Sequence, residues 1–559
     1  SVPAPPTATA TNAPKAVVQL APDSMAAPPI VDTRAVAAGS KVKAGPTGPK
    51  PASRRMGATA AVASRPRAVA SAVRSQIPAP TPVRFLAELE PDPELVACTP
   101  PAAEESVAKG VADLVSTGLA LSAPCIAETP GRSTGTKPNM IFIFADEHRY
   151  QSLSFTEMPQ VHTPVLERMT REGFMFHQCV SNYPVCSPYR GMLMTGRWPW
   201  QTGVIDNNID LRDSEFTLGD AFKSAGYRTA YIGKWHLGGT RAEPFGFDQS
   251  LIWTGTNKHY DESVYHPQTG GPFCPKGYNA TRMTDQAVEY INNIGADPYL
   301  LMLSLNPPHS RFTDAPPSKR ALYPDGSLPY RPNVKLNGPA DGHISRDNGT
   351  PHYEGYHAHI SAVDEEVGRV LEAVTRSERG NDTIIIYTSD HGSQFGSHGV
   401  GSKRQPYEES LRIPFIVYAP GRITAGTSSQ ALMGAPDVMP TLCGLARIPV
   451  PASCSGQDFS GHIIGTGGPE PDAQLIMHIS KDNASGGARH PAPLFRGIRT
   501  ARYTYTVNES GPFHLFDNRE DPYQMRNLAD TPDYASLRQE LHGRLRELLA
   551  KAEDPFPIG

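Results

Sequence analysis

The sequence predicts an α/β layer fold built on a large mixed, mainly parallel sheet flanked by helices. Three observations carry this expectation. Short apolar runs of strand length alternate with longer helix-like stretches, the pattern of strand–helix–strand units. These runs are apolar throughout rather than alternating, as expected of strands covered on both faces. Charged or metal-capable residues follow four of them, and open α/β sheets hold their ligands at the carboxyl ends of strands.

In chain order, residues 139–145 (N-M-I-F-I-F-A) read as the first buried strand, and Asp146-Glu147 follow it. The run 229–232 precedes Lys234 and His236, the run 299–305 precedes Asn306 to His309, and the run 383–388 precedes Asp390-His391. A fifth run covers 413–418. Helices are expected over 163–172, 218–225, 284–294 and 356–377. From about residue 465 the pattern changes to short strands, 497–507 and 513–516, and a closing helix over 534–551. The division is therefore an Ala/Pro-rich arm over 1–137, a main α/β domain over 138–464 and a C-terminal antiparallel-sheet subdomain over 465–559.

Composition separates the arm from the rest. Residues 1–100 hold 23 Ala and 17 Pro, too little apolar surface in any regular pattern to offset chain entropy, so the arm is expected to be largely disordered. A weak amphipathic pattern at 104–121 is the one candidate helix before residue 138. Residues 1–85 carry 11 Lys/Arg against two acids, so the chain's net charge of −4 leaves −13 on everything after them. An acidic body argues against nucleic acid as a partner. No uninterrupted apolar run is long enough to span a bilayer, so no membrane partner is expected. The basic arm has the composition of an organellar transit peptide or of a low-complexity extension. Ser1 in place of Met suggests processing, and a secretory, extracellular or periplasmic location is the first expectation, with organellar targeting as the alternative. Five N-x-S/T sequons, at Asn279, Asn348, Asn381, Asn483 and Asn508, permit the secretory route.

The seven cysteines include no C-x-x-C pair, which argues against a thiolate zinc site or thioredoxin-like motif and leaves an odd cysteine to explain. Asp146-Glu147 and Asp390-His391 offer hard oxygen donors suited to Ca²⁺ or Mg²⁺. Taken alone, Asp390-His391-Gly392 is equally a strand-to-turn connection. The segment Cys186–Thr195, continuing through Arg197, reads C-S-P-Y-R-G-M-L-M-T-G-R.

With Pro188 at +2 and Arg190 at +4 from Cys186, that segment resembles the signature by which type I sulfatases are oxidised from cysteine to formylglycine. Other matching stretches follow in family order. They are F-A-D-E at 144–147, G-Y-R-T-A-Y-I-G-K-W-H-L-G at 226–238, N-P-P-H at 306–309, T-S-D-H-G at 388–392, K-R-Q-P-Y-E-E-S-L-R-I-P at 403–414 and G-I-R-T-A-R-Y-T-Y at 497–505. Residues 138–551 therefore resemble the formylglycine-dependent sulfatases of the alkaline-phosphatase-like superfamily.

The resemblance implies a cation, Ca²⁺ with Mg²⁺ or Mn²⁺ as alternatives, held by Asp146, Glu147, residue 186, Asp390 and His391. It implies Cys186 as formylglycine nucleophile, Arg190 orienting it, and Lys234 and Lys403 neutralising sulfuryl charge. His236 would be the base on the hydrated aldehyde, and His309 the acid for the leaving alcohol. Lys403 is chosen over Arg404 because the family lysine stands four before the Tyr of Y-E-E-S. The family often has Asp where Glu147 stands and Asn where His391 stands; Asp-His occurs in related phosphonate and phosphodiester hydrolases. His352, His357 and His359 are expected to be surface or packing residues. The implied partners are a sulfate ester, with carbohydrate sulfates first, and a formylglycine-generating enzyme during maturation. The rival readings are a phosphonate or phosphodiester hydrolase and a non-catalytic sulfated-glycan-binding protein.

Overall fold

A computed structural model describes residues 137–558 except 255–256, 262, 336–345, 348–349, 402 and 481–492. The arm through residue 136, with the candidate helix at 104–121 and the sequons at Asn348 and Asn483, lies outside the described residues.

The chain runs β1 (Asn139–Asp146), α1 (Pro164–Glu172), β2 (Phe174–Val180), α2 (Cys186–Thr195), α3 (Leu218–Ser224) and β3 (Arg228–Lys234). It continues through β4 (Gln249–Thr254), β5 (Val264–Pro267), α4 (Asn279–Asn293), β6 (Tyr299–Pro308), α5 (His352–Arg376) and β7 (Thr383–Ser389). Then come β8 (Phe415–Tyr418), β9 (Thr427–Gly434) and α6 (Val438–Ala446). These nine strands form one sheet in the order β9-β2-β8-β7-β1-β6-β3-β4-β5. Only β8 and β5 run against the rest.

Strand β1 shows why the sheet is central. Its eight residues are all buried, and successive side chains point to opposite faces. Met140, Phe142 and Phe144 enter one apolar cluster with Met192, Leu193, Phe222 and Leu442 of α2, α3 and α6. Ile141, Ile143 and Ala145 enter another with Leu166, Met169, Ala287, Val363 and Val367 of α1, α4 and α5. Helices thus cover both faces. Helix α1 starts on Pro164, whose missing N–H costs nothing in a first turn.

A second, antiparallel sheet contains β10 (Ala473–His478), β11 (Phe495–Thr500), β12 (Tyr503–Asn508) and β13 (Gly511–Asp517), followed by α7 (Ala535–Lys551). The single strand expected over 497–507 is two strands of a hairpin. The chain turns at Ala501-Arg502, where the Thr500 hydroxyl accepts the N–H groups of Arg502 (3.2 Å) and Tyr503 (2.7 Å), a side-chain-built turn without Gly or Pro to announce it. Of the two expectations for the long-helix histidines, surface or packing, the structure shows packing. His352, His357 and His359 are buried; His357 Nδ1 lies 2.7 Å from the Tyr353 carbonyl and its Nε2 3.1 Å from Ser152 Oγ.

Arg499 on β11 forms a two-pronged pair with Glu408 beneath the small sheet, at 3.1 and 2.9 Å, with both side chains nearly excluded from solvent. Breaking it leaves a buried carboxylate unpaired, so Arg499→Ala is expected to cost about 3 kcal/mol or more. Urea denaturation checks this, and a shift below about 1 kcal/mol in unfolding free energy would contradict it.

Candidate active site

Strands β7, β1, β6 and β3 are neighbours and parallel, so their carboxyl ends share one edge of the sheet. Each delivers polar residues there: Asp390-His391 after β7, Asp146-Glu147 at β1, Asn306 and His309 at β6, and Lys234 and His236 at β3. Pairing of Ala145 with Ser389 sets Asp146 beside Asp390. Glu147 turns into the left-handed region at φ 71°; its N–H donates to Asp390 Oδ1 at 3.2 Å and its carbonyl accepts the Tyr356 hydroxyl at 2.6 Å. Gly392 follows because a Cβ there would lie 2.0 Å from the Glu409 carbonyl oxygen.

Helix α2 points its first residue, Cys186, at this edge. The C-x-P-x-R spacing has a structural reason. Pro188 falls in the first turn, where N–H groups lack intrahelical partners, and Arg190 lies one turn on from Cys186 on the same face. Arg190 Nη2 donates to Asp146 Oδ2 (3.1 Å) and Asp390 Oδ2 (3.0 Å), while Nη1 donates to the Lys234 carbonyl and Ser304 Oγ, both at 2.8 Å. Cys186 Sγ lies 3.2 Å from Lys403 Nζ, 3.3 Å from His391 Nε2 and 3.6 Å from Asp146 Oδ1. Lys403 also pairs with Glu147, and Lys234 with Asp146. Arg404, at φ 79°, turns away from Lys403 to Asp206 (2.8 Å) and His478 (3.4 Å).

The Sulfatase family model matches residues 138–448, more than half the chain. The chain is a sulfatase. Its residues 396–551 also match the C-terminal model of N-sulphoglucosamine sulphohydrolase. The sulfatase is 33% identical to an ulvan-active sulfatase of Formosa agariphila over 75% of this chain and 83% of that one. It is 29% identical to an endo-4-O-sulfatase of Bacteroides thetaiotaomicron over 78% and 97%. A solved structure in complex with its substrate D-glucosamine-2-N,6-O-disulfate superposes with a TM-score of 0.68 at 25% identity, covering 76% of this chain and 99% of that one. The large mixed sheet with a smaller antiparallel one is thus the sulfatase fold of the alkaline-phosphatase-like superfamily, and the chain is an enzyme that hydrolyses sulfate esters.

The electrostatics of the sulfatase site are those of an anion-accepting centre. Burial and Asp146 push the Cys186 thiol up, but Lys403, Lys234 and His391 outweigh them and bring it down to about 5. Burial opposes the charge on Asp146, yet Lys234, His309, Lys403 and Arg190 hold its carboxyl well below the usual range. Burial and neighbouring Asp146 push Asp390 up: two converging carboxylates repel, which a cation between them relieves. Donor atoms of Asp146, Cys186, Asp390 and His391 lie within 4.8 Å of one another, and those of Asp146, Glu147 and His309 do likewise. The two groups share Asp146 and together carry three carboxylates, hard oxygen donors of the kind that fits a divalent cation.

The two remaining predicted histidines flank this centre. Burial and Lys234 push His236 down to about 3, which keeps it neutral, and among the described residues its buried Nδ1 has no hydrogen-bond partner. His309 Nε2 lies 3.4 Å from Glu147 Oε1; burial pushes it down against the pull of Glu147 and Asp146. Sequence reasoning missed Ser304, Tyr356 and Asn207, whose side-chain oxygen accepts the Ser187 N–H at 3.0 Å. Nothing in the sequence ties them to Ser187, Arg190 and Glu147, which lie 20 to 209 positions away.

Proposed function

We propose that this sulfatase cleaves sulfate monoesters of carbohydrates, with Cys186, oxidised to formylglycine by a formylglycine-generating enzyme, as its nucleophile. Asp146, Glu147, Asp390, His391 and the residue-186 side chain would hold one divalent cation, Ca²⁺ first, with Mg²⁺ or Mn²⁺ as alternatives. The observation that carries the reading is Cys186 at the helix start, within 3.6 Å of a lysine, a histidine and a buried aspartate. The names of the relatives, ulvan-active and 4-O-sulfatase, and the bound glucosamine disulfate support the carbohydrate class.

The hydrated aldehyde supplies one hydroxyl to attack sulfur and a second whose deprotonation expels sulfate, and a bound cation supplies Lewis-acid activation and positive charge. The chain's own groups do the rest. Arg190 fixes the two aspartates and, through them, the orientation of residue 186. Lys234 and Lys403 offset charge that builds on the sulfuryl oxygens, the contribution that is usually largest. Neutral His236 accepts a proton from the diol, and His309 with Lys403 protonates the leaving alcohol. The C-terminal subdomain from residue 465 on shapes the pocket rim and so the choice of sugar.

A screen of defined sulfated sugars, aryl sulfates and aryl phosphodiesters tests the reading on protein with position 186 verified by mass spectrometry. Sulfated sugars are expected to be turned over best. Preference for the phosphodiester by orders of magnitude would make the chain a phosphodiesterase in practice. Unmodified Cys186 from a host able to oxidise it, with sugar binding but no turnover, would make it a binding protein.

A further inference from the structure

A second cluster lies behind the site. His259, Asp314 and His359 bring donor atoms within 4.8 Å of one another, yet each imidazole nitrogen already has a partner. His359 Nδ1 lies 2.7 Å from the Tyr278 hydroxyl and Nε2 2.9 Å from the Arg311 carbonyl. His259 Nδ1 lies 2.8 Å from Asp314 Oδ1, and its Nε2 lies 3.2 Å from Asn306 Nδ2. Such saturation describes a hydrogen-bond network rather than a cation site.

The network has a direction. Asp314 accepts, so His259 must carry its proton on Nδ1, and the His259 N–H, donating to Asp314 Oδ2 at 2.9 Å, holds the same carboxylate. A neutral ring protonated there offers only a lone pair at Nε2. Burial, then His359, push His259 down to about 4, in keeping with the neutral form. Asn306 must therefore turn its NH₂ toward His259, which aims its carbonyl oxygen at Lys234 Nζ, 3.4 Å away. With Asp146 and Asn306 taking two of the three ammonium N–H groups, the third is left for an incoming oxygen. His259 and Asn306 are fully buried, so water does not compete for these bonds.

We infer that Asp314 and His259 are positioning residues that act through Asn306 to aim the Lys234 ammonium at the sulfuryl group. The inference rests on the role proposed above for Lys234. It adds a line of control from two residues, His259 between β4 and β5 and Asp314 after β6, that lie outside the family's matching stretches.

A double-mutant cycle on an aryl sulfate tests it. His259→Phe is expected to lower kcat/KM about tenfold in the otherwise native enzyme, the scale of loss when an outer partner of a catalytic group is removed. In a Lys234→Ala background the same change should cost less than about twofold, because the group it aims is gone. His259→Gln, which keeps an acceptor near the Nε2 position, should recover most of the activity. Equal losses in both backgrounds, or no recovery by Gln, would overturn the inference. Unchanged turnover in Lys234→Ala alone would instead overturn the role of Lys234. If His259→Phe does not fold, Asn306→Ser carries the same cycle.

Discussion

Cys186→Ala is expected to abolish turnover of any sulfate ester while the protein stays folded. The substitution removes one sulfur atom from a helix start. The groups that touch it keep other partners: Lys403 retains Glu147, and His391 Nδ1 retains the Gly392 carbonyl at 2.9 Å. The structural cost should therefore be about 1–2 kcal/mol. The loss in kcat should be at least about 10³-fold, since removing a covalent nucleophile leaves only binding and electrostatics. Initial rates and thermal unfolding of the same preparation separate the two effects. Retained turnover would remove residue 186 from the nucleophile's role. Cys186→Ser sharpens the test. A single hydroxyl can accept the sulfuryl group but has no second hydroxyl to expel it, so sulfate should accumulate covalently on residue 186 and appear in intact-protein mass spectra.

What the sequence displayed of this site, and what it hid, follows from range. Asp146-Glu147 and Asp390-His391 stand directly after apolar runs, and the rule that ligands gather at strand ends locates them without a structure. The pattern C-x-P-x-R is local too, because Cys186 and Arg190 are one helical turn apart. Choosing Lys403 over Arg404 needed the family register, and the backbone explains the divergence: positive φ at Arg404 sends adjacent side chains to different partners. His259 could not be singled out, since its importance arises from contacts with Asn306 and Asp314, 47 and 55 positions away. Strand β9 was hidden for another reason. It lies at the sheet edge, and its exposed half reads T-S-S-Q, with no apolar run to mark it.

Asp390→Ala is expected to remove the cation and with it the activity, and the geometry indicates why a single carboxylate has this effect. Its Oδ1 accepts the N–H groups of Glu147 (3.2 Å) and His391 (2.9 Å), and its Oδ2 accepts Arg190 at 3.0 Å. The substitution deletes one proposed ligand and loosens the backbone of two other proposed ligands, Glu147 and His391, at once. Arg190 keeps Asp146 at 3.1 Å, so no buried cation is orphaned and the fold should survive. Metal analysis should show about one equivalent of divalent cation per native chain and almost none in the variant. Cation at about 100 times its dissociation constant should stabilise native protein by about 2.7 kcal/mol and leave the variant's unfolding unchanged. Cys186→Ala retains all three carboxylates and His391, so it should keep its cation while losing turnover. That contrast separates the metal from the nucleophile. Full calcium content in Asp390→Ala would break the proposed site, whatever happened to the rate.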